Sequence, residues 1–319
     1  MFIQGVCKKL FVGLFTAVLS FTVFGGTAAA EVVPVNLTAK KATVKVAQGV
    51  KFKAWTFNGT VPGPVVRATE GDTIEVTLKN GDTSSHKNCK KKKKGKQRKK
   101  CNQQKKKHAA MWHSIDFHAA KVAPSDAFRS VAPGESFTFS FEASTPGVYL
   151  YHCGTGPLLE HVGMGMYGMI VVDPAEGRPP AQEVFLVQSE FYGKVKNGWL
   201  KSSYQAMKTE EPTYVAFNGK AARYAQAPIK VPVGGPVRIY FVDAGPSLSS
   251  SFHVVGTIFD AYQHDGNPDE PMLDVSTQLV GPGGAGVFEL TFPEAGTYPF
   301  VTHALRDMDK GAVGIFAAE

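Results

Sequence analysis

Short runs of apolar or alternating residues recur along the chain from Val33 onward. Alternation with a period of two is typical of a strand that buries one face, and Gly, Pro, Asp and Asn mark the turns between strands. The number and spacing of the runs predict an all-β chain built as a sandwich or barrel. The clearest are TIEVTL (73–78), SFTFSFEA (136–143), GVYLYH (147–152), GMIVV (168–172), PVRIYFV (236–242) and GVFELTF (286–292).

The chain also contains an internal repeat. The stretch TFNGTVPGPVVRATEGDTIEVTL (56–78) is echoed by AFNGKAARYAQAPIKVPVGGPVRIYFV (216–242), and residues 131–153 are echoed by 280–303. Two copies of one all-β unit predict two tandem domains. The stretch DPAEGRPPAQE (173–183) has the Pro- and Gly-rich composition of a linker. We therefore expect domains spanning 31–177 and 178–319.

The first 30 residues have the pattern of a secretory signal peptide. Lys8 and Lys9 precede an apolar stretch, residues 10–24, and small residues ending at Ala30 follow it. A membrane span needs about 20 apolar residues, so this stretch fits a cleaved signal better than an anchor. We expect an exported protein, in the periplasm or on the outer face of the cell envelope. An uncleaved single-helix anchor is the alternative.

Basic residues are concentrated in one insertion. The 319 residues, 43% of them hydrophobic, are enough for one or two sizeable cores. The 35 Lys and Arg exceed the 27 Asp and Glu, but thirteen of the basic residues lie between Lys87 and Lys107, and without them the count is 22 against 27. No base-reading element accompanies this insertion (86–108), so a nucleic-acid role is disfavoured.

Four side chains in the first repeat form the ligand set of a copper site. Cys153 is followed by His161 and Met166, and His113 lies upstream. A thiolate, two imidazoles and a weak thioether are the ligands of blue-copper electron-transfer sites. Met164 competes with Met166, which fits the spacing better. This role also accounts for an odd cysteine, because Cys7 would leave with the signal and Cys89 could pair with Cys101.

Two further histidines predict a second metal nearby. Neighbouring side chains on a strand point to opposite faces, so His152 should face away from a metal bound by Cys153. His113 and His118 are five positions apart and should split in the same way along an extended strand. The second metal would then lie a short covalent path from the first.

The stretches HSIDFHAA, YHC…EHVGMGMYG, SFHVVGTIFD and VTHAL resemble those of the copper-containing nitrite reductases. The resemblance covers nearly all of the mature chain apart from the basic insertion. It implies two tandem cupredoxin-like Greek-key β-sandwich or barrel domains, a homotrimer, and one type 1 and one type 2 copper per subunit. Type 1 copper would be held by His113, Cys153, His161 and Met166, and type 2 copper by His118, His152 and a neighbouring subunit's His303.

The resemblance also implies a mechanism. Electrons would pass from type 1 to type 2 copper through the Cys153–His152 link, and nitrite would be reduced to nitric oxide and water. Asp116 and His253 match the family's acid–base pair, and Val255 falls where the family carries an aliphatic residue over the substrate. In the second repeat Val301 and Thr302 replace the His–Cys pair, so that copy cannot bind a metal through a thiolate.

Other functions remain as alternatives. A nitrite-reductase-like oxidase could act on dioxygen or hydroxylamine. A laccase-type oxidase is disfavoured, because its trinuclear cluster uses paired histidines two positions apart and no two of the nine histidines have that spacing. A pure electron carrier would not need the second histidine set. The basic insertion could steer an acidic cupredoxin or cytochrome donor to the type 1 edge, or could be a tolerated loop.

Overall fold

The computed structural model describes residues 30–82 and 111–319. The predicted signal peptide up to Ala29 and the whole basic insertion (86–108), with Cys89 and Cys101, lie outside the described residues. In the two described ranges, no helix combines the length and the apolar composition needed to cross a membrane.

Strands dominate the first half of the chain. Each of the first four predicted runs coincides with a strand, which confirms the predicted all-β class. The strands are β1 (Val32–Ala47), β2 (Val50–Phe57), β3 (Val66–Thr69), β4 (Thr73–Asn80), β5 (Asp116–Phe117), β6 (Ser136–Glu142), β7 (Gly147–His152) and β8 (Tyr167–Asp173), and the helices are α1 (Pro124–Ala127) and α2 (Leu158–Gly163).

The second half is built in the same way with additional strands. Its strands are β9 (Gln182–Phe191), β10 (Gly193–Lys196), β11 (Trp199–Ser202), β12 (Tyr214–Phe217), β13 (Ile229–Val231), β14 (Pro236–Asp243), β15 (Ser250–Val254), β16 (Phe259–His264), β17 (Met272–Val275), β18 (Thr277–Val280), β19 (Ala285–Thr291), β20 (Gly296–Thr302) and β21 (Val313–Ala318). Its helices are α3 (Tyr204–Lys208), α4 (Arg223–Gln226) and α5 (Leu305–Met308).

The two halves repeat one sheet arrangement. The first half contains the strand orders β2-β1-β4-β6 and β3-β8-β7-β5, and the second contains β12-β9-β14-β19 and β13-β21-β20-β15. The parallel pairs correspond as well: β1 with β4 matches β9 with β14, and β3 with β8 matches β13 with β21. The sequence repeat is therefore a structural repeat.

One element crosses between the halves. The hairpin β10–β11 follows β9 along the chain, but β11 pairs in parallel with β2 and extends the first half's sheet to six strands. The predicted boundary at 177/178 falls in the connection between β8 and β9. This boundary stays a prediction, because the hairpin β10–β11 from the second half completes a sheet of the first half.

Each half has its own buried core. Apolar side chains alternate inward on β1, β2 and β4, and aromatic rings fill the second core between β14, β15, β19 and β20. Tyr151, Tyr167, Phe241 and Phe252 are among the largest fully buried side chains. Burying rings of this size removes extensive apolar surface from water, which is the main force that fixes β7 and β8 around the site described next.

Candidate metal centres

The first cluster joins the end of β7 to two neighbouring segments. Cys153 directly follows β7, and its Sγ lies 3.1 Å from Nδ1 of His161 on α2 and 3.9 Å from Nδ1 of His113. His113 is held by a two-way backbone bridge to Val131. All three side chains are buried. Cys153 and His161, eight residues apart, thus converge on one point with His113 from forty residues upstream of Cys153.

Burial sets the protonation of this cluster. It lowers the pKa of His113 and of His161 to about 4, so both rings are neutral near pH 7 and keep a lone pair for a ligand bond. It raises the pKa of the Cys153 thiol, while the backbone N–H of Ser114, 3.5 Å from Sγ, opposes that shift by favouring the thiolate. A positive ion in the cluster would stabilise the thiolate further.

The cluster fits a small transition-metal ion. An ion about 2.0 Å from nitrogen and about 2.3 Å from sulfur holds those atoms roughly 3 to 4 Å apart. The two Sγ–Nδ1 distances fall in that range. Nε2 of His161 is buried without a hydrogen-bond partner among the described residues, so the polar contact of this ring is made at Nδ1. A thiolate with two imidazoles selects copper-type chemistry.

Met166 lies beside this cluster. Its side chain is fully buried in the same apolar core as Cys153, and its carbonyl accepts the Cys153 backbone N–H at 3.1 Å. Met164 packs instead into a different core, with residues of β2 and β9. The surroundings therefore favour Met166 over Met164 as a thioether ligand, which stays a prediction.

The second cluster lies on the other side of the His152–Cys153 peptide. Nε2 of His152 is 3.1 Å from Nε2 of His118, and the Asp116 carboxylate lies 4.0 Å from Nε2 of His152. His152 is buried, Asp116 is half-buried and His118 is exposed. The peptide bond between His152 and Cys153 therefore joins this second set of ligand atoms to the first.

Hydrogen bonds fix the ring tautomer of His152. Its Nδ1 lies 3.0 Å from the carbonyl oxygen of Cys153, which can only accept, so Nδ1 carries the proton and Nε2 keeps its lone pair. Two imidazole nitrogens bound to one metal ion at about 2.0 Å are about 3 Å apart, as the two Nε2 atoms are here. Although part of the His118 side chain is exposed, the surrounding protein desolvates its ring, and this desolvation together with the nearby His152 lowers the pKa of His118 and keeps its ring neutral as a ligand.

The remaining predicted residues lie together on the second half. His303 directly follows β20, and its ring centroid is 5.8 Å from that of His253 on β15. His303 and Val255 are exposed, and His253 is half-buried. Within one chain, His303 belongs to neither of the clusters found in the described residues.

The structure changes the reason for one prediction. His113 and His118 do go to different clusters, but not because a continuous strand alternates between them. The strand β5 has only two residues, and His118 lies in the turn that follows it. The short strand and the turn together direct His113 and His118 into different clusters.

Two contributors to the site were missed from the sequence. Trp55 packs its ring edge-on against His161 and His113, with centroids 5.0 and 6.2 Å away. Gly283 lies against the His118 ring, since a Cβ added there would be 3.4 Å from Cε1. Neither contact could be predicted from the sequence, because each joins segments that are far apart in the chain.

Comparisons with known proteins identify the relatives of this chain. Two multicopper oxidase family models match residues 38–87 and 90–176. A copper-containing nitrite reductase of Neisseria gonorrhoeae is 36% identical over 296 residues, covering 90% of this chain and 68% of the relative.

Two solved structures that resemble this chain are also copper nitrite reductases. The copper nitrite reductase of Nitrosomonas europaea superposes with a TM-score of 0.78 at 35% identity, covering 90% of this chain and 94% of that one. A copper-containing nitrite reductase from Thermus scotoductus gives 0.77 at 34% identity, covering 91% of this chain and 62% of that one. The fold is thus cupredoxin-like, as predicted.

Proposed function

Because the chain belongs to the family of copper-containing nitrite reductases, we propose that its two clusters together carry out the one-electron reduction of nitrite to nitric oxide and water. The observation that carries the proposal is that neighbouring residues, His152 and Cys153, contribute to different clusters. An electron arriving at one cluster thereby has a covalent route to the other.

The residues divide into two ligand sets. His113, Cys153, His161 and Met166 would hold a type 1 copper, and His118, His152 and a neighbouring subunit's His303 a type 2 copper. Copper in these sets supplies a one-electron redox change and a Lewis-acid position for nitrite. The buried first set is shielded from water, whereas His118 and Asp116 leave the second set open to a small anion.

Asp116 and His253 would supply the two protons that the reaction consumes. The Asp116 carboxylate is placed in the second cluster, where it can hold a proton at an oxygen and pass it to the departing nitrite oxygen. Nδ1 of His253 donates to the Ser276 carbonyl at 2.6 Å, so Nε2 is the nitrogen free to exchange a proton. One N–O bond breaks as one electron and two protons arrive. Val255, exposed beside His253, would border the substrate.

The assembly and the compartment are part of the proposal. A homotrimer would bring His303 of one subunit to the second cluster of the next. Export by the N-terminal segment would place the enzyme in the periplasm or on the outer face of the cell envelope. An acidic cupredoxin or cytochrome would deliver the electron, with the basic insertion raising its association rate.

The test measures nitric oxide formation from nitrite by copper-loaded protein with a small neutral reductant. A His118→Ala variant should keep the blue thiolate-to-copper absorption and lose turnover by a factor of about 10² or more, because only the substrate-binding set is damaged. Cys153→Ser should lose the colour as well. His264→Ala, which alters an exposed histidine outside both clusters, is the matched control and should behave as wild type.

The same protein also tests the alternative substrates. Turnover should be faster with nitrite than with dioxygen or hydroxylamine under identical reductant. A fully copper-loaded enzyme that reduces dioxygen but not nitrite would overturn the proposal in favour of an oxidase.

A further inference from the structure

Four neighbouring strands carry an unusual concentration of lysines. In one sheet, β10, β11, β2 and β1 lie side by side, and their sequences contain eight lysines but no Asp or Glu. The rest of the chain outside the basic insertion is acidic, since only 22 basic residues remain there against 27 acidic ones. The charge is therefore gathered on one part of the fold.

Strand register places seven of these lysines on one face. Residues directly opposite each other share a face, and so do residues two apart on a strand. Lys45 is opposite Lys51, Trp199 is in register with Lys51, and Lys194 is opposite Lys201. The lysine face consists of Lys41, Lys45, Lys51, Lys53, Lys194, Lys196 and Lys201, all exposed.

The centre of the lysine face is aromatic. The ammonium groups of Lys51, Lys53 and Lys201 lie 5.9, 5.7 and 5.5 Å from the ring centroid of Trp199. Attraction of cations to a ring face offsets some of their mutual repulsion. A half-buried Trp surrounded by cations resembles the centre of a protein interface, where aromatic residues provide most of the binding free energy.

The described residues supply little counter-charge to the lysine face. Like charges directly opposite each other destabilise a sheet, and this face contains two such pairs, Lys45 with Lys51 and Lys194 with Lys201. Within the described residues, Lys41 is the only one of these seven lysines that forms a salt bridge, to Asp82 at 2.8 Å. An acidic partner would supply the missing counter-charges.

The lysine face leads to the first cluster. Trp55 lies two positions beyond Lys53 on β2 and is opposite Lys41 in the register. Its ring centroid is 5.0 Å from that of His161. A protein bound across the lysine face would therefore have its edge next to Trp55, which contacts a buried candidate ligand of the first cluster.

From the charge, the six lysines that form no salt bridge within the described residues, and the nearby contact of Trp55 with His161, we propose that the lysine face is the docking surface for an acidic electron-donor protein. The inference rests on the proposed function, because it assigns the donor's position. A second copy of the chain does not fit, since self-association through this face would oppose seven lysines to seven. None of the seven lysines of this face belongs to the insertion at 86–108.

The experiment compares two double variants of the full chain with equal charge changes. Lys53→Glu with Lys201→Glu alters the lysine face, and Lys230→Glu with Lys310→Glu alters lysines elsewhere. Binding of plastocyanin, a cupredoxin with an acidic docking face, is measured by surface plasmon resonance at low ionic strength. The lysine-face variant should associate at least tenfold more slowly, and the control within about twofold of wild type.

Two further readouts separate the possible failures. The lysine-face variant should unfold at an equal or higher temperature than wild type, because a like-charge pair has been removed, so weaker binding cannot be ascribed to misfolding. Its nitrite turnover with a small neutral reductant should be unchanged. Binding of the donor does not require nitrite turnover. An enzyme inactive on nitrite would therefore contradict the proposed function, while the binding measurement would still decide whether the lysine face is the docking surface.

Three results would overturn the docking proposal. One is an equal loss of plastocyanin binding in both variants, which would reflect net charge alone. Another is unchanged binding in the lysine-face variant. The third is binding by wild type of anionic phospholipid vesicles in preference to plastocyanin, lost in the lysine-face variant, which would assign the face to a membrane surface.

Discussion

At the residue scale, the internal repeat is clearest in two Phe-Asn-Gly turns. Asn58 and Gly59 both have positive φ, and so do Asn218 and Gly219. In each turn the Asn side chain accepts a backbone N–H from the neighbouring strand and donates to a carbonyl on it. Asn and Gly tolerate this backbone, and the Asn amide satisfies the strand it joins.

The two glycines nevertheless have different surroundings, which gives a matched prediction. A Cβ on Gly219 would overlap the carbonyl oxygen of Val61 from the first half, whereas a Cβ on Gly59 would meet only the flexible Lys40 side chain. Both Ala variants incur about 1 kcal/mol of left-handed strain. Gly219→Ala must also displace backbone, so it should cost more than about 3 kcal/mol in all. Urea unfolding measures both, and equal losses would contradict this account.

At the element scale, local sequence signals predicted turns and strands but not which strands pair with each other. The hairpin β10–β11 turns at Asn197-Gly198, both with positive φ, and this dipeptide is a strong hairpin signal. No local signal could show that β11 would pair with β2, because only two residue pairs join them across a wide sequence separation. The Cys-His-Met spacing likewise predicted a ligand set, but not the turn that holds His118.

One arginine ties the ends of the two repeats together. Arg67 on β3 donates to Asp173, the last residue of β8, and to Glu183 on β9. These acceptors flank the connection between the repeats. The planar guanidinium makes two hydrogen bonds to each carboxylate, a geometry that Lys cannot reproduce.

Replacing this arginine should therefore weaken the junction. We expect Arg67→Lys to lower the free energy of unfolding by about 1 kcal/mol, a modest value because the side chain is 42% exposed and screened by water. Lys230→Ala removes a more exposed pair with Glu319 and should cost less than about 0.5 kcal/mol. Thermal unfolding of both variants checks the order, and an equal or larger effect at Lys230 would contradict it.

At the scale of the whole molecule, the single chain separates the residues that we propose form the second copper site. His118 and His152 lie on the first repeat, while His303 and His253 lie on an exposed part of the second and do not join them. The sequence indicated the candidate ligands of the first cluster from residue type and spacing, which are local, whereas the role of His303 came from the family resemblance. The sequence could not place one repeat against the other, or one subunit against the next, without the family resemblance.

Mixing two inactive variants tests whether the second site is shared between subunits. His118→Ala and His303→Ala chains should each be inactive alone and each keep the blue colour. In cyclic trimers assembled at random from both, about a quarter of the interfaces pair an intact His118 with an intact His303, so about a quarter of wild-type turnover and of type 2 copper should return. A site completed within one chain would return neither, because every chain then lacks a ligand. Co-expression of His264→Ala with wild type controls for assembly and should give full activity, and absence of recovery in the mixed oligomer would rule out a ligand donated by a neighbour.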